Sequence, residues 1–115
     1  MKLIEHPDGT KTMRLNGIEN LAVNNALVFS FVFIEDWEYQ TRIGVTTYQA
    51  ESLLDRIHVT DPSWVNETEL TTVCNVLNFA LEHIANWEFK ILMGVTKEEV
   101  RLILGQLTPL SPQRR

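Results

Sequence analysis

The chain has little of what marks several protein classes. It has one cysteine, Cys74, in 115 residues, so no disulfide can form within it and a disulfide-stabilised scaffold is excluded. Its longest apolar stretch, 26–34, is interrupted by Ser30 and is far shorter than the roughly 20 residues that span a bilayer. Its 10 Lys and Arg are outnumbered by 15 Asp and Glu, which gives a net charge of −5. Because nucleic-acid binding requires clustered positive charge, we expect neither a nucleic-acid partner nor a membrane partner.

Residue patterns that support catalysis or metal binding are also missing. The five glycines form no phosphate-binding motif, and none of the three histidines belongs to a recognised metal-ligand pattern. Cys74 lies beside an apolar helical stripe, where a free cysteine usually behaves as a small apolar residue. We therefore predict no catalytic residues, no cofactor, no metal site and no enzymatic activity. Residues 5, 6 and 8 interrupt the apolar core that a signal peptide needs, so the expected location is the cytoplasm.

The remaining composition is typical of a folded protein. Hydrophobic residues make up 44% of the chain and charged residues 22%, as in ordinary globular domains and unlike disordered chains. A chain of this length forms one domain around one hydrophobic core. We therefore expect residues 1–115 to fold as a single domain.

The most informative feature of the sequence is an internal repeat. Residues 23–57 align with 73–107 at a constant offset of 50, without a gap, and 11 of the 35 aligned positions are identical. The identical pairs are Val23/Val73, Asn25/Asn75, Leu27/Leu77, Phe29/Phe79, Ile34/Ile84, Trp37/Trp87, Glu38/Glu88, Gly44/Gly94, Val45/Val95, Thr46/Thr96 and Leu54/Leu104. Since duplicated units fold alike, a repeat constrains the architecture before any local prediction. The sequence therefore predicts a tandem duplication, with repeat 1 over 19–57 and repeat 2 over 66–107.

Local patterns place secondary structure within this repeat. Residues 1–17 are typical of a β-hairpin, because two short runs flank the turn sequence Pro7-Asp8-Gly9-Thr10. Apolar residues at spacings of three and four predict a helix over 67–85. The equivalent segment, 19–34, has strong β-propensity of its own. We predict a helix there as well, because the two repeats should share one fold.

The segments 37–43 and 87–93 allow two interpretations. Each fits a short helix, but Trp, Tyr and Ile at 37, 39 and 43 also fit the period-two alternation of a strand. A glycine follows each segment, at Gly44 and Gly94. Glycine commonly ends a helix in the left-handed conformation, so we favour the helix, with the strand as the alternative.

Capping residues define the starts of the predicted helices. A side chain that accepts a hydrogen bond from a free backbone N–H stabilises the first turn. The residues assigned to this role are Asp36 and Asn86 for the short helices, Thr46 with Gln49 and Thr96 with Glu99 for closing helices over 47–57 and 97–107, and Asn66 with Glu69 for the helix over 67–85.

The predicted fold is mainly α, a tandem duplication of a helix–short helix–helix unit with a small N-terminal β-hairpin. One unit has too little apolar surface to stand alone, so we expect the two to pack face to face about a pseudo-twofold axis. Trp37 and Trp87 occupy equivalent positions and are expected in this core. Residues 58–65 are expected to link the repeats, and 108–115 to form a flexible tail.

One carboxylate cluster differs between the repeats. The acidic corner of repeat 1 carries two more negative charges than its counterpart in repeat 2, since Glu35, Asp36 and Glu38 correspond to Ala85, Asn86 and Glu88. A patch of one sign attracts a partner of the opposite sign and raises the association rate. We therefore predict that Glu35, Asp36 and Glu38 bind a partner.

A tryptophan outside the repeat is a second candidate for partner binding. Trp64 lies in the polar segment 61–66, and tryptophan is enriched among the residues that dominate interface energies. The alternative is that Trp64 folds down as a lid over the core. Both interpretations remain open at the level of sequence.

These features favour a non-enzymatic binding protein. Small size and acidity suit an inhibitor, such as a bacterial immunity protein that neutralises a basic toxin or enzyme. A first alternative is a homo-oligomeric structural or regulatory protein, built through the hairpin and apolar helix faces. A second is a small enzyme with an unrecognised site, which would need a pocket with convergent polar groups and shifted pKa values.

Overall fold

A computed structural model of the chain describes residues 2–15, 17–59 and 63–107. Within these ranges the protein is mainly helical, as predicted, with a small antiparallel sheet. The elements are β1 (Lys2–Glu5), β2 (Lys11–Leu15), α1 (Ile18–Phe33), α2 (Asp36–Ile43), α3 (Thr47–Val59), β3 (Ser63–Asn66), α4 (Glu67–His83), α5 (Asn86–Met93) and α6 (Lys97–Leu107). The predicted tail over 108–115 lies outside the described residues, as do residues 60–62 of the predicted linker.

The N-terminal hairpin is confirmed, but it belongs to a three-stranded sheet. β1 pairs with β2, and β2 pairs with β3, both antiparallel. The segment predicted to link the repeats, 58–65, contains the end of α3 and the first three residues of β3. Met13, Leu15 and Val65 are buried, so the sheet covers one end of the helices. This burial supplies the stability that an isolated hairpin lacks.

The short segments α2 and α5 are helices, not strands. Their bounds differ by 50 residues at both ends, and each ends at a glycine with positive φ, Gly44 at 103° and Gly94 at 77°. The predicted capping pairs also form. Asn66 and Glu69 bond each other's backbone N–H groups at the start of α4, as do Thr96 and Glu99 before α6.

Two predicted caps are wrong. Asp36 and Asn86 are the first helical residues of α2 and α5, and Glu35 and Ala85 take the N-cap positions without a side-chain hydrogen bond. Asp36 instead accepts a hydrogen bond from the Thr47 hydroxyl at 3.1 Å. A carboxylate in the first turn still complements the helix dipole, so Asp36 stabilises the start of α2 through its charge and not as the N-cap.

Helices α1 and α4 lie side by side with their C-terminal ends together. The rings of Phe29 and Phe79 are 5.9 Å apart, and Phe33 lies 5.1 Å from the His83 ring. Leu27 and Leu77 are fully buried. The pairing explains why α1 is helical despite its β-propensity, because helical spacing brings its apolar residues into one contact with α4.

Each long helix also donates a hydrogen bond to the short helix of the other half. In α1, Asn25 Nδ2 donates to the Met93 carbonyl oxygen at the end of α5, at 2.7 Å. In α4, Asn75 Nδ2 donates to the Ile43 carbonyl oxygen at the end of α2, also at 2.7 Å. These carbonyls are among the groups that a helix leaves unpaired at its C-terminus. Two asparagines 50 residues apart thus tie α1–α3 and α4–α6 together reciprocally.

The expectation that Trp37 and Trp87 pack in the core is wrong. Their side chains are 79% and 76% exposed. Each short helix instead buries two residues that are one turn apart, Tyr39 and Ile43 in α2 and the equivalent Phe89 and Met93 in α5. A residue two positions before Tyr39 is turned by about 200° on the helix, so Trp37 must face solvent when Tyr39 faces the core.

Candidate functional site

The acidic corner (Glu35, Asp36 and Glu38) lies where α1 passes into α2. Glu35 and Asp36 are exposed, and no described cation forms an ion pair with either. Glu38 is 3.6 Å from Arg42, one turn further along α2. Arg42 thus offsets the third carboxylate, and the net negative field of the corner comes from Glu35 and Asp36. The structure brings these two predicted residues together and gives Glu38 a different role.

Trp37 gives the acidic corner an apolar contact surface. It follows Glu35 and Asp36 directly, and 79% of its side chain is exposed. Tryptophan supplies a large, rigid contact area at little conformational cost, and it is enriched in binding hot spots. Sequence reasoning missed Trp37 as a site residue because it assigned the side chain to the core.

Trp64 is remote from the acidic corner. It lies in β3, opposite Arg14 of β2, and its side chain is 42% exposed. β3 leads into the N-terminus of α4, whereas Glu35 follows the C-terminus of α1. Since the C-terminal ends of α1 and α4 lie together and the 17 residues of α4 span about 25 Å, Trp64 and the acidic corner lie toward opposite ends of α4. Partial exposure on the outer side of the sheet favours the anchor interpretation over the lid.

Comparison with protein-family models, with curated proteins and with solved structures finds no match to this chain. The function must therefore be argued from its own residues. In the part of the chain that the structure describes, no helix combines the length and hydropathy of a membrane span.

The residues considered for chemistry do not converge. Cys74 is buried in α4, and no group of three or more His, Cys, Asp or Glu among the described residues is placed to hold a metal. The Thr10 backbone N–H lowers the pKa of Asp8 in the hairpin turn, and burial raises the pKa of Tyr39. Neither residue lines the clefts described on the surface, which measure about 190 to 350 Å³.

A second surface was not anticipated from the sequence. The α1/α5 face carries exposed apolar side chains, of which Val32 is 81% and Ile91 77% exposed. All five positions of this face have a polar residue 50 positions away in the chain, so apolar residues are not needed there for the fold. The face and its polar counterparts are Leu21/Thr71, Val28/Asn78, Val32/Glu82, Ile91/Thr41 and Leu92/Arg42.

The two helices that carry the α1/α5 face meet at Asn25 and Gly94. The Asn25 amide reaches the end of α5, and Leu21 lies against Gly94. Residues 21, 25, 28 and 32 follow the three- and four-residue spacing of one helical stripe. The signal that could have found this face was available in the alignment of the repeats, at positions where the two halves differ in polarity.

Proposed function

We propose that this protein is a non-enzymatic binding protein whose acidic corner engages a basic partner protein. The observation that carries the proposal is Trp37, which is 79% exposed beside two carboxylates that form no ion pair with a described residue. A rigid aromatic side chain provides contact area, while Glu35 and Asp36 steer a basic surface toward it. An inhibitor or immunity protein that neutralises a basic toxin or enzyme is the biological role that fits best. We place it in the cytoplasm, since its single cysteine cannot form an internal disulfide.

An affinity capture from host lysate tests this proposal. The tagged protein is incubated with lysate at low and then high salt, and retained proteins are identified by mass spectrometry. We expect a basic protein that is retained at low salt and released at high salt, because screening weakens charge steering. Recovery of the bait alone at low salt would contradict the proposal.

Variants locate the interface on the captured partner. We expect Glu35→Lys with Asp36→Lys to abolish retention, and Glu35→Ala with Asp36→Asn to weaken it. The second pair installs the residues of the equivalent corner, which supports the same helix, so loss of folding is not an explanation.

Trp37→Ala should weaken binding by about tenfold or more, as for a hot-spot residue. The matched control, Trp87→Ala, should bind like the parent, and equal loss in both would move the site away from the corner.

We also propose that the two halves arose by duplication of one unit. Reciprocal hydrogen bonds from Asn25 and Asn75 support this origin. A buried pair supports it independently. The Tyr39 and Ser30 hydroxyls form a hydrogen bond of 2.6 Å. The residues 50 positions further on are Phe89 and Ala80, so the second half lacks both hydroxyls of this pair.

A second candidate function is homo-oligomerisation through the α1/α5 face. The favouring observation is that this face is exposed and apolar where its counterpart is polar, and exposed apolar patches often mark interfaces. A twofold interface buries one patch against its own copy. Light scattering coupled to size-exclusion chromatography should then give a dimer mass. A triple variant carrying the counterpart residues, Val28→Asn, Val32→Glu and Leu92→Arg, should be monomeric, and a monomeric parent would exclude this candidate.

A further inference from the structure

A cleft between α5 and α6 is lined by cations on a protein with net negative charge. It measures about 350 Å³. Lys90 projects from α5, and Lys97 and Arg101 from the first two turns of α6. Glu98 lines it as well, which leaves a net charge of +2. The lining residues are Asn86, Phe89, Lys90, Thr96, Lys97, Glu98 and Arg101.

The three cations have no acidic partner within the described part of the protein. Arg42 and Arg56 of the first half form ion pairs with Glu38 and Glu69. Lys90, Lys97 and Arg101 form no ion pair with a described residue. Lys97 Nζ lies 5.5 Å from the centre of the Phe89 ring. Three like charges around one concave surface repel each other, so the arrangement gains stability when an anion occupies it.

The first half of the chain shows that the fold does not require these charges. The corresponding positions of α2 and α3 are acidic or neutral. Glu51 there lies close enough to Tyr39 for its charge to act on that hydroxyl. Two surfaces with the same backbone plan thus carry opposite charge. The corresponding pairs are Asp36/Asn86, Gln40/Lys90, Thr47/Lys97, Tyr48/Glu98 and Glu51/Arg101.

We propose that the α5/α6 cleft binds a small phosphate-bearing molecule. A guanidinium matches the oxygens of a phosphate as a fork, and two ammonium groups add mobile point charges, so the set suits a dianion better than a single carboxylate. The volume suits a compact ligand. A long polyanion such as nucleic acid is disfavoured, since the whole chain carries a net charge of −5 even with the cations of this cleft included.

Phosphate titrations followed by amide NMR test the proposal. Inorganic phosphate and pyrophosphate are added to the full chain at low ionic strength, with sodium chloride at matched ionic strength as control. We expect saturable shifts for amides of residues 86–101 and no saturable shifts over 36–51, with pyrophosphate binding more tightly. Shifts that chloride reproduces, or that are equal in both halves, would overturn the proposal.

Exchange of residues between the halves provides the decisive variants. Lys90→Gln, Lys97→Thr and Arg101→Glu together install the residues of the α2/α3 surface, and we expect binding to weaken at least tenfold. The converse set, Gln40→Lys, Thr47→Lys and Glu51→Arg, should add saturable shifts over 36–51. The single variant Arg101→Gln, at an exposed position, should weaken binding about tenfold without loss of the helical circular dichroism. Unchanged affinity in a folded triple or single variant would contradict the assignment of the cleft.

Discussion

Ser30 and Tyr39 form a buried polar contact that the second half of the chain does without. The Ser30 hydroxyl donates to the Leu27 carbonyl oxygen at 2.7 Å, so the Tyr39 hydroxyl donates to Ser30 Oγ at 2.6 Å. Both side chains are inaccessible to water. Loss of Ser30 alone would therefore destabilise the folded protein, because it would leave the buried Tyr39 hydroxyl without an acceptor.

A double-mutant cycle tests this dependence. Ser30→Ala leaves the Tyr39 hydroxyl without its acceptor, and we expect the free energy of unfolding to fall by about 1–3 kcal/mol. Tyr39→Phe leaves Ser30 bonded to Leu27 and should cost less. The double variant, which reproduces the Ala80 and Phe89 pair, should be more stable than Ser30→Ala alone. Chemical denaturation measures all four proteins, and additive losses would show that the contact has no coupling energy.

The same tyrosine predicts a loss of stability at high pH. Burial raises the pKa of Tyr39 above its ordinary value of 10.0, with a further rise from the negative charge of Glu51 and an opposing effect of the Ser30 hydrogen bond. Above pH 10 the unfolded chain loses this proton while the folded protein keeps it. Stability from this group is therefore complete below pH 10 and falls as pH rises, by at most about 1.4 kcal/mol per pH unit.

Urea unfolding between pH 9 and pH 11 checks the expected slope. Tyr39→Phe lacks the titrating hydroxyl, so its stability should decline less steeply than that of the parent over this range. Parallel declines in the two proteins would exclude Tyr39 as the source.

At the scale of elements, glycine ends both short helices for a conformational reason. A Cβ at Gly94 would lie 3.1 Å from Leu21 Cδ2, at a φ of +77°. At Gly44 it would lie 3.3 Å from Asn75 Nδ2, at +103°. We expect Gly94→Ala and Gly44→Ala each to lower stability by about 1–2 kcal/mol. Gly105→Ala is the matched control, since that helical site has open space, and it should raise stability by up to about 1 kcal/mol. Thermal unfolding compares the three.

Helices were predictable here because several signals agreed. Apolar spacing, capping pairs and closing glycines supported the same helix boundaries. The repeat predicted a helix for α1 despite its β-propensity, because the equivalent segment has a clear helical pattern. β3 was missed because four residues after a proline carry no clear period, and its pairing with β2 is a long-range contact. The equivalent positions of Trp37 and Trp87 in the two repeats favoured the core for both, although the one-turn spacing of Tyr39 and Ile43 indicates that Trp37 lies on the opposite face.

The candidate surfaces were predictable only in part. The alignment of the repeats revealed the acidic corner, and the same comparison contains the polarity differences of the α1/α5 face and the α5/α6 cleft. Exposure decides which of these differences matter, and exposure depends on how the two halves pack. Trp64 illustrates the limit, because its distance from the corner follows from the side-by-side arrangement of α1 and α4.

At the scale of the whole molecule, the two halves share one core but differ in charge. Residues 35–57 contain five acidic and two basic residues, whereas 85–107 contain three of each. The shared core predicts a single unfolding transition. We expect Leu27→Ala and Leu77→Ala, at fully buried equivalent positions, each to cost about 2–5 kcal/mol and to shift the same calorimetric peak. Two separate peaks, one sensitive to each variant, would show that the halves unfold independently.

The exposure of the tryptophans determines what intrinsic fluorescence reports for this protein. Trp37 and Trp87 already face water in the folded state, and Trp64 is partly exposed. Their emission should therefore be red-shifted before any denaturant is added and should change little on unfolding, so far-ultraviolet circular dichroism is the better probe of stability. A ligand or partner that covers Trp37 should shift emission to the blue, which makes the unlabelled protein its own binding sensor.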